Sequence, residues 1–246
     1  MNRALAIVPA LNEAANIAGV VRDLHEHVPE FDVLVVDDGS TDETGRIARE
    51  AGAHVVSLPF NLGIGGAVQT GYRFALARGY DAAIQVDGDG QHDAAQVRAL
   101  LDHLIANPEL DMVVGSRFLT ENEGFQSSAL RRIGIRMFGR MLSLMVHQRV
   151  TDPTSGFRMV GRRGIALFAR DYPHDYPEVE AVLMLHANYL RSAEIPVVMR
   201  DRQGGASSIT LRRSVYYVVK VSLALFVGFL RRRPIQQVSL EGGEAT

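Results

Sequence analysis

The sequence contains no cysteine. That excludes disulfides, thiolate metal sites and cysteine nucleophiles together, and it is compatible with a reducing compartment. Net charge is almost absent: 26 Lys and Arg against 28 Asp and Glu leave a formal charge of -2, so nucleic acid is not an expected partner. No segment reaches the roughly 18–20 uninterrupted apolar residues that span a bilayer. The nearest, residues 215–230, is interrupted by Lys220. Met1-Asn2-Arg3 runs straight into a strand-like stretch without an apolar run and small-residue cleavage site, so no signal peptide is expected. The eight histidines form no H-x-x-x-H or H-E-x-x-H pair. There is no G-x-S-x-G serine elbow, no G-x-x-x-x-G-K-[ST] phosphate loop, no internal repeat and no low-complexity tract.

What is present is ordinary globular material. With 246 residues, 47% hydrophobic and 22% charged, the chain suits one large α/β domain or a core domain with a short appendage. Apolar runs at residues 4–8, 33–36, 54–58, 82–86 and 112–114 alternate with helical patterns at 13–27, 43–51, from the glycine-rich turn to about 78, and 94–105. That alternation predicts a parallel sheet with helices on both faces. The second half is less regular. It reads as a helix over 129–147, a polar turn-rich link over 152–158, a helix over 178–190 and a strand over 193–199. A small-residue loop carrying Arg202 follows, then an apolar helix over 215–230 ending in Arg231-Arg232-Arg233, and a loose tail from 234. The division expected is a main domain over 1–210, a membrane-associating helix over 211–233 and a flexible tail over 234–246.

Such sheets bind ligands outside the carboxyl ends of their strands, and the polar motifs fall at those ends. Pro9-Ala10-Leu11-Asn12-Glu13 follows the first strand, Asp37-Asp38-Gly39-Ser40 the second, Asp87-Gly88-Asp89-Gly90-Gln91-His92 the fourth and Gly115-Ser116-Arg117 the fifth. Asp87 and Asp89, two apart in extended backbone, point to one side and repel unless a cation lies between them. A hard divalent ion suits them, and Mg²⁺ leaves room for diphosphate oxygens; Gln91 could add an amide oxygen. A bare Asp-x-Asp is otherwise a solvated turn. The Asp37-Asp38 pair exceeds what capping the next helix requires, with Thr41 or Asp42 available as N-cap. Asn61-Leu62-Gly63-Ile64-Gly65-Gly66-Ala67 fails the dinucleotide fingerprint, because Val68 stands where the last glycine belongs. It is either part of a site or a turn that lets a helix pack closely. Arg117 and Arg202 carry guanidinium groups that match phosphate oxygens. His92 reads as structural.

Together with Asp152-Pro153-Thr154-Ser155-Gly156-Phe157-Arg158 and the Arg202 loop, these motifs resemble the family-2 glycosyltransferases of GT-A fold, in the branch of polyprenyl-phosphate (dolichol-phosphate-mannose-type) sugar synthases. The resemblance spans about residues 4–210. It implies that Pro9, Leu11, Glu13, Val36, Asp38, Asp87, Gly88 and Asp89 line the donor site, that Asp87, Asp89 and Gln91 meet Mg²⁺ or Mn²⁺, and that Arg117 and Arg202 contact phosphates. It also implies inverting transfer from a UDP- or GDP-sugar to polyprenyl phosphate in cell-wall glycan assembly. N-acetylhexosamine or hexose is the expected sugar, as in actinobacterial members. A glycan hydroxyl acceptor would instead need a base, with Asp152 the first choice; a non-catalytic nucleotide-sugar-binding module is the further alternative. A nucleotidyltransferase would show a glycine-rich basic loop after the first strand, which Pro9–Glu13 is not. Ser207 and Ser208 replace the lysine that often follows the flap arginine, and the paired C-terminal transmembrane helices of some relatives are missing. Arg132, Arg136 and Arg140 recur every four residues on one helical stripe. With residues 215–233 they suggest a peripheral protein on the cytoplasmic face of the plasma membrane, with a membrane surface and a small integral membrane protein as partners.

Overall fold

The computed structural model describes residues 3–119, 129–174 and 177–200. The Arg202 loop, the helix expected over 215–230 and the basic cluster 231–233 lie outside the described residues. Within them, the chain runs β1 (Ala4–Ala10), α1 (Ile17–His27), β2 (Phe31–Asp37), α2 (Thr44–Glu50), β3 (His54–Ser57), α3 (Gly63–Ala77) and β4 (Ala82–Gln85). A single 3-10 turn, Ala94–Gln96, leads into α4 (Val97–Ala106), then β5 (Met112–Ser116) and α5 (Ala129–Val146). The order closes with β6 (Arg158–Gly161), α6 (Arg162–Arg170), α7 (Pro177–Ala187) and β7 (Ser192–Pro196).

Seven strands form one mixed sheet in the order β3-β2-β1-β4-β6-β5-β7. β1 is buried at every position, as expected of a parallel strand covered on both faces. Its alternation sorts the core into two. Leu5 and Ile7 face a layer with residues of α3, α5, α6 and α7; Ala6 and Val8 face one with residues of α1 and α4. Each fully buried Leu or Ile contributes about 1.5–3 kcal/mol relative to exposure.

The sheet is mostly parallel, and β6 is the strand that breaks the pattern. It runs antiparallel to both β4 and β5, with Gln85 opposite Arg158 and Val114 opposite Arg158 on the other side. The four-residue Arg158-Met159-Val160-Gly161 opens on an arginine, so its sequence carries neither an apolar run nor a clear alternation. The same stretch hides α6 behind the link read over 152–158. β6 matters to the site because it carries the 152–156 turn up against the end of β4.

Glycines of α3, one of them in the Gly63–Ala67 turn, serve close packing. A Cβ added at Gly65 would fall 2.3 Å from the Pro173 carbonyl oxygen, and one at Gly71 would fall 2.3 Å from Ile7 Cγ2. These glycines let α3 press onto β1 and onto the chain beyond α6, which is a packing role.

Candidate active site

The loops after β1 and β2 are stitched together by short polar side chains. Asn12 adopts positive φ (55°), and its Oδ1 accepts from the Thr41 N–H at 2.8 Å. In return the Asn12 N–H donates to Ser40 Oγ at 2.9 Å, and the Glu13 N–H to Thr44 Oγ1 at 2.9 Å. Asp42 accepts from both the Ala14 and Thr44 backbone N–H groups, but α2 starts at Thr44 with Glu43 as its N-cap and no side-chain cap bond, one residue beyond the Thr41 or Asp42 expected.

Asp38 is buried at this junction. Its Oδ1 accepts from the Leu62 N–H at 2.7 Å. Gly39, at φ 73°, leaves so little room that a Cβ there would lie 2.8 Å from the Phe60 carbonyl carbon. The Asp38 turn is thus held against residues 60–62. Leu11, Phe60 and Leu62 leave apolar surface exposed around it. Of the other residues expected at the donor, Pro9 and Val36 pair across β1 and β2 and are both buried, while Glu13 is half-buried.

The acidic loop begins where β4 ends. The Val86 N–H still bonds the Ile7 carbonyl at 2.9 Å, after which the chain leaves the sheet. Asp87 Oδ1 accepts from Gln85 Nε2 at 3.1 Å. The Asp87 N–H donates to His92 Nδ1 at 2.9 Å, and Asp89 Oδ1 accepts from the Gln91 N–H at 3.1 Å. A Cβ at Gly88 would lie 3.0 Å from the Pro9 carbonyl oxygen, and one at Gly156 would lie 2.8 Å from Nε2 of Gln85, whose side chain bonds Asp87. Glycine at 88 and 156 therefore lets three chain segments meet at Asp87. Its side chain remains 37% exposed. The donors offered by Asp87, Asp89 and Gln91 are all oxygen, which fits a hard divalent cation. Among the described residues, no group of three or more His, Asp or Glu side chains gathers as a metal site. Two carboxylates leave most of such an ion's coordination to phosphate and water.

The structure brings Arg117 and Asp152 together. Arg117 Nε donates to Asp152 Oδ2 at 2.7 Å and Nη2 to Oδ1 at 2.8 Å, while the Arg117 N–H adds a 3.1 Å bond to Oδ2. Their side chains are 8% and 0% exposed. Glu194 of β7 clamps the turn that carries Asp152, accepting from the Thr151 and Asp152 N–H groups. Both Asp152 oxygens are thus filled by donors from Arg117.

Three further features escaped the sequence reading. Arg158 is fully buried without a carboxylate partner among its hydrogen bonds: Nε donates to the Ser155 carbonyl at 2.8 Å and Nη2 to that of Glu178, and Nη1 is unsatisfied. Burial pushes the neighbouring Glu178 carboxyl up from its ordinary range, with Arg158 opposing. Arg200 pairs with Asp23 at 2.8 Å and Asp93 at 2.6 Å, and its N–H donates to the Gln91 carbonyl. Arg158 closed the Asp152–Arg158 motif and Arg200 stood just before Arg202, but the sequence carried no signal of their partners. Away from the strand ends, an open recess at the end of α5 is lined by Arg140, Leu144, His147 and Arg149 and holds none of the expected donor or metal residues. On α5 itself, Arg136 and Arg140 are exposed while Phe138 and Leu142 are buried in the core.

Residues 5–167 match the glycosyl transferase family 2 profile. The chain is 32% identical over 217 residues to the undecaprenyl-phosphate mannosyltransferase of Micrococcus luteus, covering 85% of this chain and 88% of that one. It is 28% identical over 234 residues to the polyprenol monophosphomannose synthase of Mycolicibacterium smegmatis, covering 89% and 86%. Among solved structures, it superposes with a TM-score of 0.68 on glucosyl-3-phosphoglycerate synthase from Mycobacterium tuberculosis, bound to Mn²⁺, UDP-glucose and phosphoglyceric acid. That likeness covers 94% of this chain and 79% of the other at 20% identity, and it shows the fold, GT-A.

Proposed function

The chain belongs to glycosyl transferase family 2, and from that premise we propose that it moves a hexose or N-acetylhexosamine from a UDP- or GDP-sugar onto polyprenyl phosphate, inverting the anomeric centre. The observation that carries the choice of acceptor is the Arg117–Asp152 pair. A hydroxyl acceptor needs a base to take its proton, and the carboxylate best placed in sequence for that task has both oxygens engaged. A phosphate monoester, with a second pKa of about 6, arrives already ionised. The names of the two polyprenyl-linked relatives support the same acceptor.

In this reading the donor nucleotide lies over the β1 and β2 ends. Leu11, Phe60 and Leu62 offer apolar contact to the base, and Asp38 and Glu13 offer acceptors to polar groups of the nucleoside. Asp87 and Asp89, with Gln91, would hold Mg²⁺ or Mn²⁺, which as a Lewis acid offsets charge on the departing diphosphate. The Gln85 side chain bonds Asp87 Oδ1 at the end of β4. A phosphate oxygen of the acceptor supplies the electron pair that bonds to C1, and the C1–O bond to the nucleoside diphosphate breaks. Arg117, locked onto Asp152, shapes the acceptor side, and Arg202 contacts phosphate.

An acceptor with an isoprenoid tail places the work at a bilayer. Among the described residues no helix is long and apolar enough to cross a membrane. The acceptor's chemistry favours a peripheral enzyme on the cytoplasmic face of the plasma membrane, alone or beside a small integral membrane protein. Basic residues on α5 and at 231–233 meet anionic lipid, at about 1 kcal/mol each. Sedimentation tests this. Protein is expected to pellet with anionic vesicles containing polyprenyl phosphate, less so as salt rises, and less again when Arg231, Arg232 and Arg233 become glutamine. Protein that stays in the supernatant at low salt, with and without the lipid phosphate, contradicts the membrane assignment.

A further inference from the structure

We propose that His92 is a positioning residue for Asp87: its imidazole closes the acidic loop back onto the residue that opens it and orients the metal-facing carboxylate. This rests on the metal assignment made above and adds to it a residue that touches no substrate.

The geometry is specific. His92 Nδ1 accepts the Asp87 N–H at 2.9 Å, so Nδ1 carries no proton and Nε2 does. That Nε2 stands 3.6 Å from Asp87 Oδ2, while Oδ1 of the same carboxylate accepts from Gln85 Nε2. Asp87 is therefore gripped at its backbone and flanked at both oxygens by neutral N–H groups. Metal-binding side chains are commonly oriented in this way by partners that do not touch the ion. The ring is itself immobilised. It stacks on Phe157 at 4.7 Å between centroids and 28° between planes, and its side chain is 1% exposed.

The backbone at His92 is anchored as well. It bridges to Met199, and the Arg200 N–H takes the Gln91 carbonyl at 2.9 Å. Gln96 exchanges hydrogen bonds with Val198 on the far side. The loop is thus pinned at its exit, and the imidazole transmits that anchorage to its entrance five residues earlier. Packing against Phe157 alone would be met by any flat ring; two nitrogens turned toward Asp87 are not required for it.

His92→Phe keeps the ring and the stack but removes both nitrogens. His92→Asn places an amide oxygen near the Nδ1 position and can still accept the Asp87 N–H. Calorimetry would measure UDP and GDP binding with and without Mn²⁺, beside thermal melting of each variant. For His92→Phe, nucleotide affinity without metal is expected to be unchanged, and the affinity gained on adding Mn²⁺ to fall about 10- to 100-fold, the range found for residues that orient metal ligands. His92→Asn is expected to recover part of that gain whatever its melting temperature. A His92→Phe variant with the full Mn²⁺-dependent gain, or losses in both variants that merely track their melting temperatures, would overturn the positioning role. An unaltered protein that shows no Mn²⁺-dependent gain would overturn the metal assignment beneath it as well.

Discussion

Asp89→Ala is expected to lower the transfer rate at least ~10²-fold, the scale set by removing one key electrostatic contact from a transition state. Chelation by EDTA should abolish transfer, and Mg²⁺ or Mn²⁺ should restore it in the unaltered protein alone. The reason lies in how little else surrounds the acidic loop. Asp87 and Asp89 are the two carboxylates of the motif that follows β4, Asp93 beyond them being paired with Arg200, and among the described residues no group of three or more acidic or histidine side chains forms a metal site. Losing one leaves a single carboxylate to hold a divalent ion, too few protein ligands for the site to stand. Asp89 accepts from the Gln91 N–H within its own turn, and the melting temperature of the variant separates a lost ligand from a lost fold. Steady-state rates with and without EDTA, paired with a melting curve, check this. Full activity of Asp89→Ala in EDTA would remove the metal from the account.

Asp152→Ala is expected to act mainly on stability. Arg117 and Asp152 are almost wholly buried and joined by two parallel side-chain bonds. Removing one member of such a pair leaves an uncompensated buried charge at a cost of about 3–5 kcal/mol. For a chain of this size that corresponds to a melting temperature lower by about 6–20 °C. Replacing both partners, as Arg117→Met with Asp152→Leu, should recover much of the loss, since a well-packed apolar pair can match a buried ion pair. The opposite pattern would be equally informative. An Asp152→Ala protein with an unchanged melting temperature and a collapsed rate would identify Asp152 as a base, and with it a hydroxyl acceptor.

That pair marks the boundary of what could be read from the chain alone. Arg117 and Asp152 were each visible as chemistry-bearing residues, but separately, one as a phosphate contact and the other as a base. The stretch across their separation of 35 positions carries no local pattern that predicts a bond, which exists because β6 returns antiparallel between β4 and β5. β6 was itself illegible: four residues, beginning with an arginine that is tolerated in the core through two main-chain carbonyls. By contrast β1, β2, β4 and β5 were plain, because a strand buried on both faces must be apolar along its length and its polar sequel then stands out. The ends of β1, β2 and β4 are the places where the side chains of Asn12, Asp38 and Asp87 are pinned. Gly65 and Gly71 show the limit from the other side. The Asn61–Ala67 motif left a site and a packing turn both open, and the atoms that Gly65 and Gly71 approach belong to the protein's own backbone and core.

The chemical outcome of the reaction tests the central claim most directly. Purified protein, Mn²⁺, a UDP- or GDP-sugar and polyprenyl phosphate would be incubated together and the products weighed by mass spectrometry. Sugar on polyprenyl phosphate through one phosphorus, with a whole nucleoside diphosphate released, is the predicted result. A lipid diphosphate-sugar with nucleoside monophosphate released, or sugar found only on a glycan hydroxyl, would contradict it.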